Sequence, residues 1–205
     1  MKRRTFILFI LLILPALILS ACESEEPPGM YIQPAELTEE EEAVAKLLGA
    51  DTDDFILDVM VDSTVRSVRI QYYELIDGKW NPFNGSSVAL DGSEAKGRMA
   101  FRYGKLTGST REAVQFGKSF TSAAHSIPEA EENQSENMGF GGSRLSSRVN
   151  IVYEEEIPLV LQVATSKTNV HIYDTEYFFQ PEVYDGLGYE HVYALTVTFS
   201  QEPLS

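Results

Sequence analysis

The chain has 205 residues, of which 31 are acidic and 16 are basic, and its formal net charge is −15. Nucleic-acid binding requires Lys and Arg side chains that neutralise phosphates, so this balance excludes a nucleic-acid partner. The single cysteine excludes an intrachain disulfide and a cysteine-ligated metal site.

The first 21 residues have the layout of a secretory signal peptide. Basic residues 2–4 precede an apolar run, residues 6–19, which is too short to span a membrane comfortably and is followed by glutamates. The run ends in Leu19-Ser20-Ala21-Cys22, which resembles the lipobox of bacterial lipoproteins. The resemblance implies that the Cys22 thiol carries a lipid and that the mature chain is anchored to the extracytoplasmic face of the cell membrane.

Residues 22–36 are mostly polar and contain three prolines and a glycine, which predicts a flexible acidic tether. The next stretch, LTEEEEAVAKLLGA, predicts a short helix, because Thr38 and Glu41 fit a capping box. The apolar residues of this helix are expected to form a buried stripe: Ala43, Val44, Leu47 and Leu48.

From residue 55 onward, apolar residues recur at every second position, as in half-buried strands. Asp77-Gly78 predicts a hairpin turn. Later strand candidates are Arg98–Leu106, Ala113–Phe120, Arg148–Glu155, Leu159–Thr165, Val170–Tyr173 and His191–Ser200. Short strands between turn residues predict a mainly β fold, an antiparallel β-sandwich of immunoglobulin-like or jelly-roll style. Strands and helices do not alternate, which argues against a parallel α/β sheet.

A polar stretch at residues 121–143 contains PEAEENQSEN and closes on GFGG. It predicts a long mobile loop inside a single domain that covers residues 37–205. The alternative is a linker between two small β domains. The strands after Arg148 are too few to bury a separate core comfortably, which favours one domain.

Two motifs match a known catalytic or metal-binding pattern only in part. Ser93 and Lys96 match the S-x-x-K pattern of serine penicillin-binding enzymes, but Ser93 follows a turn and the chain has no S-D-N element. Residues 51–54 hold three aspartates that could ligate calcium, but their spacing is not that of an EF-hand, so a capped turn is preferred. Since nucleotide-binding loops and metal-ligand spacings of histidine are also missing, no cofactor or metal is predicted.

Aromatic residues give the positive signal for binding. Trp80 and Phe83 follow the hairpin turn, and five more aromatic residues precede the last strand in a loop-like stretch: Tyr177, Phe178, Phe179, Tyr184 and Tyr189. Exposed aromatic rings stack on sugars or pack on partners, whereas buried ones would close the ends of the core.

The leading hypothesis is a noncatalytic binding module for a glycan, a peptide or an envelope protein. The alternative is an envelope hydrolase whose site forms only in the fold. The segments EEEIPLVLQVATSK and HVYALTVTFSQEPLS are similar to parts of bacterial lipoprotein domains that remain uncharacterised. This resemblance supports the lipoprotein class and implies no mechanism.

Overall fold

The structure is a computed structural model that describes residues 29–50, 54–92, 96–103, 109–126 and 138–204. These residues form two antiparallel β-sheets and short helices, which confirms the predicted antiparallel β-sandwich with a short N-terminal helix. The strands are β1 (Tyr31–Pro34), β2 (Asp54–Met60), β3 (Ser67–Ile76), β4 (Lys79–Ala89), β5 (Lys96–Arg102), β6 (Ser109–Phe116), β7 (Ser119–Ser126), β8 (Gly139–Arg144), β9 (Val149–Asn150), β10 (Glu156–Thr165) and β11 (His191–Ser200). The helices are α1 (Glu39–Leu47), a 3₁₀ helix (Thr175–Phe179) and α2 (Pro181–Asp185).

The six-stranded sheet has the order β7-β6-β5-β2-β1-β9, and the five-stranded sheet has the order β4-β3-β11-β10-β8. All strand pairs in both sheets are antiparallel. The β3–β4 turn is the predicted one, because Asp77 and Gly78 have φ angles of 51° and 70°, as a two-residue hairpin turn of type I′ requires.

The main core lies between the two sheets. Leu57 and Met99 of the six-stranded sheet and Ile70, Leu195 and Phe199 of the five-stranded sheet are fully buried there. Alternate positions along each strand face this core, so the period-two pattern of the sequence determines which residues enter it.

Strands β10 and β11 are buried on both faces, over residues 157–165 and 192–200. Their outer face supports a second apolar core, which contains Leu161, Val163, Phe178, Tyr184 and Val192. The five-stranded sheet is therefore covered on both sides at its centre, and the outer cover contains the 3₁₀ helix and α2.

Helix α1 has the predicted capping box. The Thr38 side chain accepts a hydrogen bond from the Glu41 backbone N–H at 3.2 Å, and the Thr38 N–H donates to Glu41 Oε2 at 2.9 Å. The predicted buried stripe is wrong, because no residue of α1 is buried and Val44, Leu47 and Leu48 are exposed. None of the described helices is long and apolar enough to cross a membrane.

The tether predicted over residues 22–36 is wrong for Tyr31–Pro34, which form β1 between β2 and β9. Ile32 in this strand is fully buried, so core packing fixes the segment in addition to its backbone pairing. The part of the predicted tether up to residue 28, the signal peptide and Cys22 lie outside the described residues.

The mobile loop predicted over residues 121–143 is wrong at both ends, because β7 extends to Ser126 and β8 begins at Gly139. Gly142 of β8 has a packing reason, because a Cβ at this position would lie 2.6 Å from the Leu161 carbonyl oxygen. Residues 127–137 of the predicted loop lie outside the described residues.

Candidate ligand-binding cleft

The structure brings Trp80 together with the aromatic stretch that precedes β11. The Trp80 ring stacks on Phe178 with 5.1 Å between centroids and 17° between ring planes. The indole N–H also donates a hydrogen bond to the Phe178 carbonyl oxygen at 2.7 Å. The β4 strand and the 3₁₀ helix are thereby joined, although 98 sequence positions separate the two residues.

We call residues 170–190 the aromatic cap, because their rings cover the outer face of the five-stranded sheet. Tyr184 is buried and packs edge-on against Tyr173 at 5.5 Å, and Tyr173 stacks on Tyr177 at 4.6 Å. The Tyr189 hydroxyl accepts a hydrogen bond from the His171 N–H at 2.7 Å. Burial raises the pKa of Tyr184 to about 12, so this phenol stays protonated and serves packing.

Phe83 is the member of the predicted set that lies elsewhere. It packs against Tyr72 at 6.3 Å and Tyr193 at 6.1 Å, at the core between the sheets. The β3–β4 pairing shifts register between Tyr72 and Tyr73. Residues three apart in a strand point to opposite faces, so Phe83 faces the core between the sheets while Trp80 faces the outer core.

Phe179 is the one residue of the predicted aromatic set that is mainly solvent-exposed, at 61%. It packs edge-on against the buried Phe178 at 5.3 Å and borders a cleft of about 570 Å³. We call this space the Phe179 cleft. Its walls are two chain segments, residues 145–158 and 174–180.

The first wall of the Phe179 cleft is held by backbone hydrogen bonds at three points. The Leu145 N–H donates to the Leu159 carbonyl at 2.8 Å, the Ile151 N–H to Met30 at 3.0 Å, and the Glu154 N–H to Phe199 at 3.0 Å. This wall is therefore attached to both sheets even though it contains little regular structure. A cleft with walls fixed in this way is preformed, which favours binding.

Carboxylates and amides supply most of the polar groups of the cleft, and none of the described residues that line it is a lysine or an arginine. The acidic and amide side chains are Asn150, Glu155, Glu156, Asp174, Glu176 and Gln180. Apolar surface is added by Phe179 and by Val152, which is 49% exposed. The cleft therefore disfavours phosphates and other anions and suits ligands with hydroxyl or amino donors.

The Glu156 side chain is held by hydrogen bonds from two other strands of the five-stranded sheet, β3 and β11. Its Oε1 accepts hydrogen bonds from the Tyr73 hydroxyl at 2.5 Å and from Thr196 Oγ1 at 3.1 Å. Burial and the neighbouring Glu156 carboxylate raise the pKa of Tyr73, which keeps the phenol protonated as a donor. Tyr73, which is half-buried, also lies against the buried Phe178 at 5.6 Å, so these two rings connect Glu156 with Phe179.

Two other polar clusters lie at the five-stranded sheet. Buried Glu112 of β6 accepts hydrogen bonds from Tyr72 at 3.1 Å and from Ser86, which ties the sheets together. His191 Nδ1 is 2.8 Å from Glu74 Oε1, and its ring stacks on Tyr193. Among the described residues Glu74 is the hydrogen-bond partner of the His191 side chain, so the contacts of this pair do not include a serine or threonine nucleophile.

The remaining sequence candidates are placed as follows. Ser93, Asp51 and Asp53 lie outside the described residues, and Lys96 is exposed on β5. Asp54 forms a two-point ion pair with Arg102, with both N–O distances at 2.7 Å. The described residues contain no group of three or more His, Cys, Asp or Glu side chains that could hold a metal ion.

The sequence reasoning missed most of the cleft. Arg148–Glu155 is predicted as a strand, but only Val149–Asn150 form one. In the run of three glutamates at residues 154–156 no carboxylate stands out, and only the fold selects Glu156. Gln180-Pro181 carried a usable signal, because proline favours the first turn of a helix and α2 begins there. That signal separates the exposed Phe179, before the helix, from the buried Tyr184 within it.

The fold and the cleft define a class of protein, an antiparallel β-sandwich with a preformed acidic cleft on an outer edge. The chain matches no protein-family profile, no curated protein sequence and no solved structure.

Proposed function

We propose that the protein is a lipid-anchored, noncatalytic binding module of the extracytoplasmic cell-membrane surface, and that the Phe179 cleft binds a neutral glycan. The anchor would be a lipid on Cys22. The lipobox at residues 19–22 supports this assignment. The observation that carries the binding role is the exposed Phe179 ring at the border of a polar cleft whose lining, in the described part of the chain, has no cationic residue.

Glycan recognition fits the chemistry of this lining. A sugar presents an apolar face of C–H groups, which packs on an aromatic ring, and hydroxyl groups around its edge. The carboxylates of Glu155, Glu156 and Asp174 accept hydrogen bonds from hydroxyls, while the amides of Asn150 and Gln180 both donate and accept. A volume of about 570 Å³ lies within the usual range for small-ligand sites, roughly 300–1,000 Å³.

Binding to immobilised neutral oligosaccharides tests the ligand class. Phe179→Ala should weaken retention by about 2 kcal/mol, the value of a hot-spot aromatic residue. Phe120→Ala is the matched control, because Phe120 is 65% exposed and lies on β7 of the other sheet. Equal loss in both variants, or retention of basic peptides in place of glycans, would contradict the proposal.

Metabolic labelling with a fatty acid tests the anchor separately. The full chain should incorporate the label and fractionate with membranes, and Cys22→Ala should do neither while its glycan retention is unchanged. Label that persists on Cys22→Ala would refute the assignment of the lipidated residue.

A further inference from the structure

Helix α1 exposes a ridge of apolar side chains. Val44 is 55% exposed, Leu47 86% and Leu48 79%. Residues at these spacings lie on one side of a helix, so the three side chains form a continuous surface. We call Val44, Leu47 and Leu48 the α1 ridge.

An apolar groove lies beside the α1 ridge, between the helix and the outer face of the six-stranded sheet. Its volume is about 640 Å³. Ala45 and Leu48 contribute from the helix side, and Ile56, Ala100 and Ala113 from the sheet. Four of the residues that the sheet contributes are alanines, whose short side chains leave space between the sheet and the helix.

Polar contacts hold the helix at this distance from the sheet. Arg98 donates to Glu41 at 2.7 Å and to Asp58 at 2.8 Å, and the Arg102 guanidinium donates to the Gly49 carbonyl at 2.7 Å. The helix is therefore fixed in place with its apolar side chains uncovered, which is uncommon for a surface that stays in water.

The charges around this surface are complementary to one another. Arg111 lines the groove, is exposed, and has no hydrogen-bond or ion-pair partner among the described residues. Glu39 and Glu40, in the first turn of α1, are also exposed and lack such partners within the described part of the chain. Arg102, the other basic residue of the groove, is already paired with Asp54.

We propose that the α1 ridge and the groove together form the interface between two copies of this chain, related by a two-fold axis. The ridge of each copy fills the groove of the other, and Glu39 and Glu40 of one copy face Arg111 of its partner. A two-fold interface uses the same patch on both copies, so the patch must contain both complementary features. Leu48 satisfies this requirement directly, because it belongs to the ridge and also lines the groove.

A second copy fits this surface better than a lipid bilayer does. A bilayer would cover the convex ridge but would leave the concave groove unfilled. Anionic headgroups would also repel the four glutamates in the first turn of α1. The dimer is independent of glycan binding, because the Phe179 cleft is formed by other segments of the chain.

Cysteine cross-linking of the full chain in its native membranes tests the dimer. Leu48→Cys lies near the proposed axis, and Ile76→Cys is the matched control because Ile76 is 48% exposed in the β3–β4 hairpin. A short bismaleimide should convert Leu48→Cys to a species of twice the chain mass, while Ile76→Cys and the wild-type chain, whose own cysteine is Cys22, should stay monomeric. Equal yields for Leu48→Cys and Ile76→Cys, an unmodified Leu48→Cys monomer, or adducts only with other proteins would overturn the proposal.

A charge exchange in the Leu48→Cys background tests the orientation. Arg111→Glu should lower the cross-linked yield by about tenfold, a free-energy change of about 1.4 kcal/mol. Adding Glu39→Lys and Glu40→Lys to Arg111→Glu should restore the yield, which a variant that had merely lost its fold would not do. A yield that Arg111→Glu leaves unchanged, or that the exchange fails to restore, would contradict the proposed packing.

Discussion

Helix α1 and the aromatic cap are both short helical segments on an outer sheet face, and they are attached in opposite ways. The cap buries Phe178 and Tyr184, whereas α1 buries no residue. Salt bridges and hydrogen bonds hold α1, as in the 2.7 Å contact between Arg98 and Glu41. Apolar burial contributes far more to stability than exposed ion pairs do, so the two segments should differ in how strongly they are coupled to the fold.

The difference follows from the residues on each sheet face. Leu161, Val163 and Val192 present large apolar groups beneath the cap, while Ala100 and Ala113 present methyl groups beneath α1. A helix above large side chains is packed within the chain, and a helix above alanines leaves an apolar groove. The cap thus borders the Phe179 cleft, and α1 borders the groove of the proposed dimer interface.

Phe178→Ala should have the largest effect on stability. Phe178 is 5% exposed and contacts Trp80, Tyr73 and Phe179, so its truncation should cost about 3–5 kcal/mol of unfolding free energy. Urea denaturation followed by Trp80 fluorescence measures this loss. A cost below about 1 kcal/mol would show that the cap is not part of the cooperative core.

Thr38→Ala should act locally on α1. It removes the hydrogen bond of the capping box, worth about 1 kcal/mol to the helix. Because α1 buries nothing, hydrogen exchange at its amides should accelerate while the midpoint of global unfolding changes little. Thr38→Ser retains the cap, so its α1 amides should exchange like those of the wild type. If Thr38→Ala lowered the free energy of global unfolding as much as Phe178→Ala does, the proposed difference between α1 and the cap would be contradicted.

Acid should weaken the cap region through Glu190. The hydroxyls of Ser166 and Thr165 donate to its carboxylate and lower the pKa of Glu190 from 4.5 to about 2. A carboxylate with a lowered pKa in the folded state stabilises the fold above its unfolded pKa, and this contribution is lost as the pH falls through the folded value. The melting temperature should therefore fall between about pH 4.5 and pH 2 by less in Glu190→Gln than in the wild type. Parallel profiles would contradict this assignment.

Local signals in the sequence predicted much of the fold. His191–Ser200 forms a strand with the predicted bounds, and the Thr38–Glu41 capping box is present. Each depends on neighbouring residues alone, through period-two alternation or the spacing of a cap.

Features that depend on tertiary structure could not be predicted in this way. β1 has four residues, and its pairing partners β2 and β9 define it. Val170–Tyr173, predicted as a strand, has no regular structure, since it runs over β8, where Ser143 Oγ donates to the Tyr173 carbonyl at 2.6 Å. The exposure of Leu47 and the selection of Glu156 for the cleft depend likewise on which side chains the opposing surface supplies.

Fluorescence of Trp80 during ligand titration tests the central claim most directly. Trp80 is the single tryptophan of the chain and stacks on Phe178, which supports Phe179 at the cleft. A neutral oligosaccharide retained by the wild type should produce a saturable change in this signal that survives in Phe120→Ala and disappears in Phe179→Ala. A saturable change that persists undiminished in Phe179→Ala, or the lack of any saturable change in the wild type, would contradict binding at the Phe179 cleft.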